Sequence, residues 1–340
     1  MGLSGTGSTL RSAILKNRII VLGASGFIGR RVVHALSQTD WAQPVAVSRR
    51  ASAAIRTPGV DVRDLDVAEP GALREALAGA TGVINCIAGP PESIVAISTE
   101  LFAIAPHMTS PPRIVQLGSL AAYGSTCGAV DEAAPLRGDL DANSAAKAVT
   151  DRLASQCRSA VTLRPGIVYG PGSSWWSDRI ARLLIRRRLG NLGSLGRGYC
   201  NLVYVDDVAD AAVRALRLGD DQLGAFNLAL SAPITWNDYF AQYAAALGAL
   251  PLRLVTARRL ALETHVLAPP LKVLERLLGM PRLARWNPLP PLRPWLPALC
   301  AHDIRMEVTR AEQILGMRWT PLSVGLRITA AWFRSGGRTA

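Results

Sequence analysis

The chain is 340 residues long, with 49% hydrophobic and only 19% charged residues, a size and composition that suit one large α/β core with a smaller appended lobe. No uninterrupted apolar run reaches eighteen residues, so no spanning helix is expected. The net charge is +13, but the densest basic run, Arg186, Arg187 and Arg188, closes an expected helix where cations suit the dipole, and no RNA-binding aromatic motif accompanies it, which sets nucleic acid aside as a partner.

Residues 1–17 are rich in Gly, Ser and Thr and lack the apolar stretch of a signal peptide, so they read as a flexible leader on a cytoplasmic protein. Strands are expected at 18–22, 44–47, 60–65, 83–87, 113–117 and 161–163. Helical patterns lie between them, and the first sets Ile28, Val32, Val33 and Leu36 on one face. This alternation predicts βαβ units and a doubly wound parallel sheet buried on both faces, a Rossmann-type α/β fold. A helix starting near Trp175 leads into the arginine run. A strand at 202–205, a helix from Asp206 and a strand at 225–228 are expected to return to the large domain. From about Ser231 the helical patterns are broken by prolines, densely between Pro269 and Pro297, which argues against one long helix. The expected organisation is a Rossmann domain over 18–172 plus 201–230 and a mostly helical substrate lobe over 173–200 plus 231–335.

The five cysteines are scattered, form no CxxC pair and read as reduced, mostly buried thiols. The four histidines form no cluster, and no metal is expected.

The strongest local signal is the run from Ile19 to Gly29, in which Gly23, Gly26 and Gly29 form GxxGxxG between a strand and a helix. Glycines there permit a tight turn and let backbone N–H groups approach a pyrophosphate at the helix N-terminus. Ser25 adds a hydroxyl donor, and Phe27 and Ile28 complete the cofactor-facing turn. The second strand ends at Ser48, Arg49 and Arg50, where an NAD-preferring site usually places an acid for the ribose hydroxyls. A guanidinium suits a 2′-phosphate, so NADP(H) is favoured and NAD(H) stays open.

Together with several later stretches, these residues resemble the NAD-dependent epimerase/dehydratase family, the extended short-chain dehydrogenases. Asp64-Leu65 looks like the family's pair near the adenine. Residues 83–89 resemble the segment that brings Ala88 against the cofactor. Residues 115–124 resemble the segment of the catalytic serine, here Ser119. Residues 163–172 are close to the family's RPxxVYGPG, which adds Pro165 and Val168 to the cofactor contacts that the resemblance implies. Residues 202–209 match a further family segment, so the likeness runs from about Arg18 to Ala229. More weakly, residues 310–321 resemble the end of many members, and the apolar stretch 260–278 is similar to 3β-hydroxysteroid-dehydrogenase-like members. The same stretch, preceded by Arg253, Arg258 and Arg259, leaves open a peripheral contact with an anionic membrane.

One position departs from the pattern. The family's catalytic Tyr and Lys lie four residues apart on one helix, both facing the nicotinamide. Here Lys147 is in place, but the Tyr position holds Asn143, and no Tyr lies between Tyr123 and Tyr169. An amide exchanges hydrogen bonds but has no useful ionisation. Three readings follow: a water held by Ser119, Asn143 and Lys147 acts as the acid, a Tyr such as Tyr204 or Tyr169 reaches in, or the protein binds cofactor without redox chemistry as a sensor or scaffold. The resemblance implies an NAD(P)-dependent oxidoreductase or epimerase/dehydratase with Ser119, Asn143 and Lys147 at its centre. Its small-molecule substrate would be a secondary alcohol or ketone, on a nucleotide sugar or a lipophilic molecule, and a homodimer stays open.

Overall fold

The computed structural model describes residues 16–51, 55, 57–261 and 295–336. Most of the expected leader and most of the apolar stretch 260–278 lie outside the described residues.

The first half alternates strands and helices: β1 (Asn17–Leu22), α1 (Phe27–Ser37), β2 (Ala42–Ser48), β3 (Asp61–Asp64), α2 (Ala72–Leu77), β4 (Gly82–Asn85), α3 (Pro91–Ile104) and β5 (Arg113–Leu117). It continues through β6 (Gly128–Val130), α4 (Ala142–Ser155), β7 (Ala160–Pro165), β8 (Ile167–Tyr169), α5 (Arg179–Ile185), β9 (Leu202–Tyr204), α6 (Val205–Ala215) and β10 (Gly224–Leu228). The remainder holds α7 (Trp236–Leu247), α8 (Ala257–Ala261), α9 (Leu296–Ala301), β11 (Ile304–Met306), α10 (Thr309–Ile314) and α11 (Leu322–Arg334).

The main sheet has seven parallel strands in the order β10-β7-β5-β4-β1-β2-β3. The order reverses between β1 and β4, and that switch point opens a crevice at the strand C-termini. Ile20, Leu22, Val45, Val47 and Val83 pack on one face and Ile19, Val21, Ala46, Ile84 and Val115 on the other, as buried parallel strands require.

The lobe has its own core. Trp236, Tyr239, Phe240 and Tyr243 recur at helical spacing along α7 and pack with Ile180, Leu183 and Leu184 of α5 and Leu326 of α11. The start of α7 is fixed by a reciprocal cap between Thr235 and Asp238.

Three segments differ from expectation. β9 pairs with β8 in a separate two-stranded sheet rather than entering the main one. Ile167, Tyr169, Leu202 and Tyr204 bury their side chains in the lobe core, which draws both strands away. Residues 304–319, expected in the lobe, return to the large domain. β11 pairs with β6, Ala311, Leu315 and Met317 fill the main core, and Arg310 lies 4.8 Å over the Phe226 ring while donating to the Ala225 and Leu223 carbonyls. The helix expected to begin near Trp175 opens with a wide turn, Ser174–Asp178, and becomes α-helical at Arg179. No helix among the described residues is long and apolar enough to cross a membrane.

Candidate active site

β1 delivers the chain to Gly23, whose φ of +71° is a left-handed conformation suited to glycine. A Cβ there would sit 2.9 Å from the Cys86 carbonyl oxygen, so the turn packs directly on the end of β4. At Gly29 a Cβ would lie 2.3 Å from the Gly23 carbonyl oxygen, and only a bare Cα lets α1 start so close to β1. Gly26 is the N-cap of α1 and offers no side-chain cap. The first N–H groups of α1, at Phe27, Ile28 and Gly29, therefore present their donors and the positive end of the helix dipole toward the crevice. Ser25, Phe27 and Ile28 are half-buried around that turn.

At the outer edge of the crevice, Ser48 ends β2, and its buried Oγ has no hydrogen-bond partner among the described residues. Arg49 and Arg50 follow it and are exposed. Asp64 lies opposite Ser48 in the β2–β3 register, and the Leu65 N–H donates to the Ser48 carbonyl at 3.0 Å. An orphaned hydroxyl, an uncapped helix start and glycines packed against backbone are what a dinucleotide would use. The residues present fit one, with the α1 N-terminus and Ser48 among the groups that would hold it.

On the other side of the switch point, Asn85 ends β4 and donates to Gln116 Oε1 at 2.9 Å, tying β4 to β5. Its side-chain Oδ1 accepts from the Ile87 N–H at 3.2 Å, turning the chain outward so that Ala88 is exposed on the crevice rim. β5 ends at Leu117, and Ser119 two residues on caps a short 3₁₀ turn, its Oγ accepting from the Ala121 N–H at 3.1 Å. That bond uses a lone pair and leaves the hydroxyl proton available to a ligand.

α4 supplies the rest. Asp141 and Ser144 form a reciprocal cap, with Ser144 N–H donating to Asp141 Oδ1 at 2.7 Å, and this sets the rotation of the helix. Asn143, Lys147 and Asp151 follow at intervals of four, down one face. Asn143 is exposed at the mouth, Lys147 is half-buried and Asp151 is buried. The Lys147 ammonium donates to the Leu117 carbonyl at 3.1 Å, which brings α4 and the end of β5 together next to Ser119. Burial pushes Lys147 down to about 8, against the opposing pull of Cys86 and Asp151. Burial pushes the Cys86 thiol up to about 12, with Lys147 opposing the shift. Cys86 thus lies within electrostatic reach of Lys147, although sequence reasoning singled out only Ala88 in this segment. Its signal was being the first residue after β4 at the switch point.

Beneath the site lies a second group that sequence reasoning did not assemble. Arg164 near the end of β7 makes a fork with Asp151, Nε to Oδ2 at 2.7 Å and Nη2 to Oδ1 at 3.0 Å, both residues buried. Arg164 also donates to the Tyr123 hydroxyl and to the Glu132 carbonyl, each at 2.9 Å, and Tyr123 donates to Asn227 Oδ1 at 2.6 Å. Tyr123 is therefore a structural tether. This cluster positions Pro165 at the buried end of β7, while Val168 on β8 is half-buried against the main core.

Neither tyrosine suggested from elsewhere comes to the Lys147 ammonium. Tyr169 is fully buried in the lobe core, and a Cβ on Gly325 of α11 would lie 2.2 Å from its hydroxyl. Tyr204 is buried with it, ring centroids 5.5 Å apart, and its ionisation is raised to about 12, chiefly by burial and then by Asp206. Among the described residues no group of three or more His, Cys, Asp or Glu side chains is arranged to hold a metal ion. Cys200 and Cys300 are buried, Cys86 and Cys157 half-buried and Cys127 exposed, all as free thiols.

Fold and site together define a dinucleotide-dependent enzyme of the extended short-chain dehydrogenase kind. Residues 19–229 match the family described as the NAD dependent epimerase/dehydratase family, and the chain belongs to it as an NAD-dependent oxidoreductase or epimerase. It is 28% identical over 263 residues to a 3-diazoavenalumate denitrifying reductase of a Streptomyces species, covering 71% of this chain and 84% of that one. It is 27% identical over 296 residues to a 2-alkyl-3-oxoalkanoate reductase of Stenotrophomonas maltophilia, covering 79% and 87%. Among solved structures, UDP-glucuronic acid 4-epimerase from Bacillus cereus in complex with NAD superposes with a TM-score of 0.72 at 16% identity, covering 94% of this chain and 100% of that one.

Proposed function

We propose that the protein reduces the carbonyl of a lipophilic small molecule at the expense of NADPH, with Lys147 as the proton donor in place of the missing phenol. The observation that carries this is the seat of Lys147: its ammonium sits at the end of β5 beside Ser119, on the helix face where Asn143 offers only an amide. When bound, the reduced nicotinamide supplies the hydride. Ser119 donates a hydrogen bond to the substrate carbonyl oxygen and Asn143 orients it. Lys147 delivers one proton to that oxygen, which becomes the alcohol hydroxyl, and the resulting neutral amine takes a proton back from solvent. An acid with a pKa near 8 has both the protonated population and the driving force for this at neutral pH. Both curated relatives are named as reductases, and one acts on a branched oxoalkanoate, which favours a lipophilic ketone over a nucleotide sugar.

The test is NADPH oxidation against a panel of 2-alkyl-3-oxoacids and their esters, set beside UDP-sugar epimerisation. Turnover of the ketones supports the reading. Epimerisation alone, or cofactor binding without any turnover, overturns it. Asn143→Tyr separates the roles further. A ring there fills the space of the oriented carbonyl, so ketone turnover falls at least roughly tenfold, the cost of one lost positioning contact. A gain in turnover would mean that the site lacks an acid and Lys147 does not serve as one.

Cofactor choice gives another expected result. On this reading Ser48 Oγ, Arg49 and Arg50, at the end of β2, take a 2′-phosphate, so NADPH is expected to bind more tightly than NADH. Arg49→Asp removes a charge-assisted hydrogen bond and adds repulsion, which lowers NADPH affinity by roughly 10–100-fold. NADH affinity changes little. Calorimetric titration of both cofactors into both proteins measures it.

A further inference from the structure

We propose that the end of the small lobe formed by the α5 terminus and the strap 250–254 is a docking face for an anionic lipid bilayer.

Backbone bonds hold the two segments together. The Asn191 N–H donates to the Arg253 carbonyl at 2.9 Å, the Val255 N–H donates to the Asn191 carbonyl at 2.8 Å, and residues 191 and 254 form a parallel bridge. Gly190 lies so close beneath Arg253 that a Cβ would come within 2.1 Å of its carbonyl oxygen. The end of α11 joins from the side, with Arg334 donating to the Ala246 carbonyl at 2.9 Å and Arg182 of α5 lying 5.6 Å over the Phe333 ring. The ends of α5, α7 and α11 and the strap thus converge on one end of the lobe.

That end is apolar and basic together. Ile185 is 47% exposed, Leu250 55% and Leu254 60%, against a core in which most residues of this type are fully buried. Arg186, Arg187, Arg253, Arg258 and Arg334 are exposed around them. No Asp or Glu occurs at 179–205, at 239–261 or at 313–334, the segments that meet here. The nearest acid in sequence before α5, Asp178, is engaged by Arg182 at 3.0 Å.

Charge decides the occupant. A neutral protein partner would take the leucines and leave the guanidiniums without counter-ions. A nucleic acid would take the guanidiniums but has no acyl layer for three exposed aliphatic side chains. An anionic membrane takes both, with Leu250, Leu254 and Ile185 entering the headgroup–acyl boundary and the arginines lying among the phosphates. This inference stands on the lobe surface and does not depend on the reaction proposed above.

The test is flotation of the full chain with vesicles of equal parts phosphatidylglycerol and phosphatidylcholine, compared with phosphatidylcholine alone, at low and high salt. The expected result is co-flotation with the anionic vesicles only, weakened by salt. Leu250→Ser with Leu254→Ser lowers partitioning by roughly tenfold through lost apolar burial. Arg253→Glu with Arg258→Glu lowers it by at least roughly tenfold, at about fivefold per basic residue near such a surface. Thermal melts of both variants check that the fold is retained. No co-flotation with either vesicle overturns the proposal. So does binding that survives the serine pair but is displaced by free heparin, because that identifies a polyanion site without a membrane component.

Discussion

Replacing Lys147 with Arg is expected to lower the turnover number for ketone reduction by roughly 10²–10⁴, the range for a lost general acid, while the Michaelis constant for NADPH stays within a few-fold. Arginine keeps the positive charge toward a ribose but does not release its proton near neutrality. Lys147→Met removes the charge as well, so cofactor affinity falls along with turnover. In the wild type the pH profile carries the signature: activity is sustained below about 8, where the ammonium is protonated, and declines above it. Asp151 opposes the downward shift of Lys147, so Asp151→Asn moves the alkaline limb to lower pH. A limb that stays in place in Lys147→Arg would assign the acid to another group. The apo-protein gives an independent reading. The folded value near 8 lies below the ordinary 10.5, so the unfolded chain binds more protons between those values. Wild-type stability relative to Lys147→Met therefore rises with pH across that window, being lowest below pH 8, where burying the cation costs most. Urea melts of both proteins at pH 7 and pH 10 measure the difference.

The parts of this fold that the sequence exposes are those set by local spacing. The run from Ile19 to Gly29 names a strand, a turn and a helix start at once, because Gly23 and Gly29 occupy positions where the backbone leaves no room for a side chain. Asn143 and Lys147 are readable as one helix face from the interval of four alone, and the structure keeps that interval. What stays hidden depends on distant partners. β8 and β9 are three residues each, too short to show a period, and their tyrosines belong to a lobe core whose other members include residues from 180–192, 236–247 and 322–334. The return of 304–319 to the large domain rests on β11 finding β6, on Ala311, Leu315 and Met317 entering the main core and on Arg310 finding Phe226, across a proline-broken segment that gives no hint of direction. Lys147 looks like a cofactor lysine in the sequence. That its proton is also more loosely held follows from the burial of its side chain, which no residue string displays.

The same reasoning singles out the ion pair below the site as the largest expected stability effect away from the chemistry. Arg164→Met is expected to destabilise the protein by about 3–5 kcal/mol, since it strands the buried Asp151 carboxylate and also removes a donor from the Tyr123 hydroxyl and the Glu132 carbonyl. Arg164→Lys retains the charge but not the fork, so Asp151 loses its second hydrogen bond and the cost falls to about 1–3 kcal/mol. Pairing Arg164→Met with Asp151→Leu removes the stranded charge and recovers most of the loss, because a buried pair replaced as a unit leaves no uncompensated ion. Denaturant melts of the wild type, Arg164→Met, Asp151→Leu and the double variant form a double-mutant cycle at residues that share a direct fork, where additivity is not expected. Additive effects in that cycle would mean that the two side chains act independently. A strong coupling, together with loss of ketone turnover in Arg164→Met at temperatures where it remains folded, would tie the buried pair to the placement of Lys147 one helical turn above it.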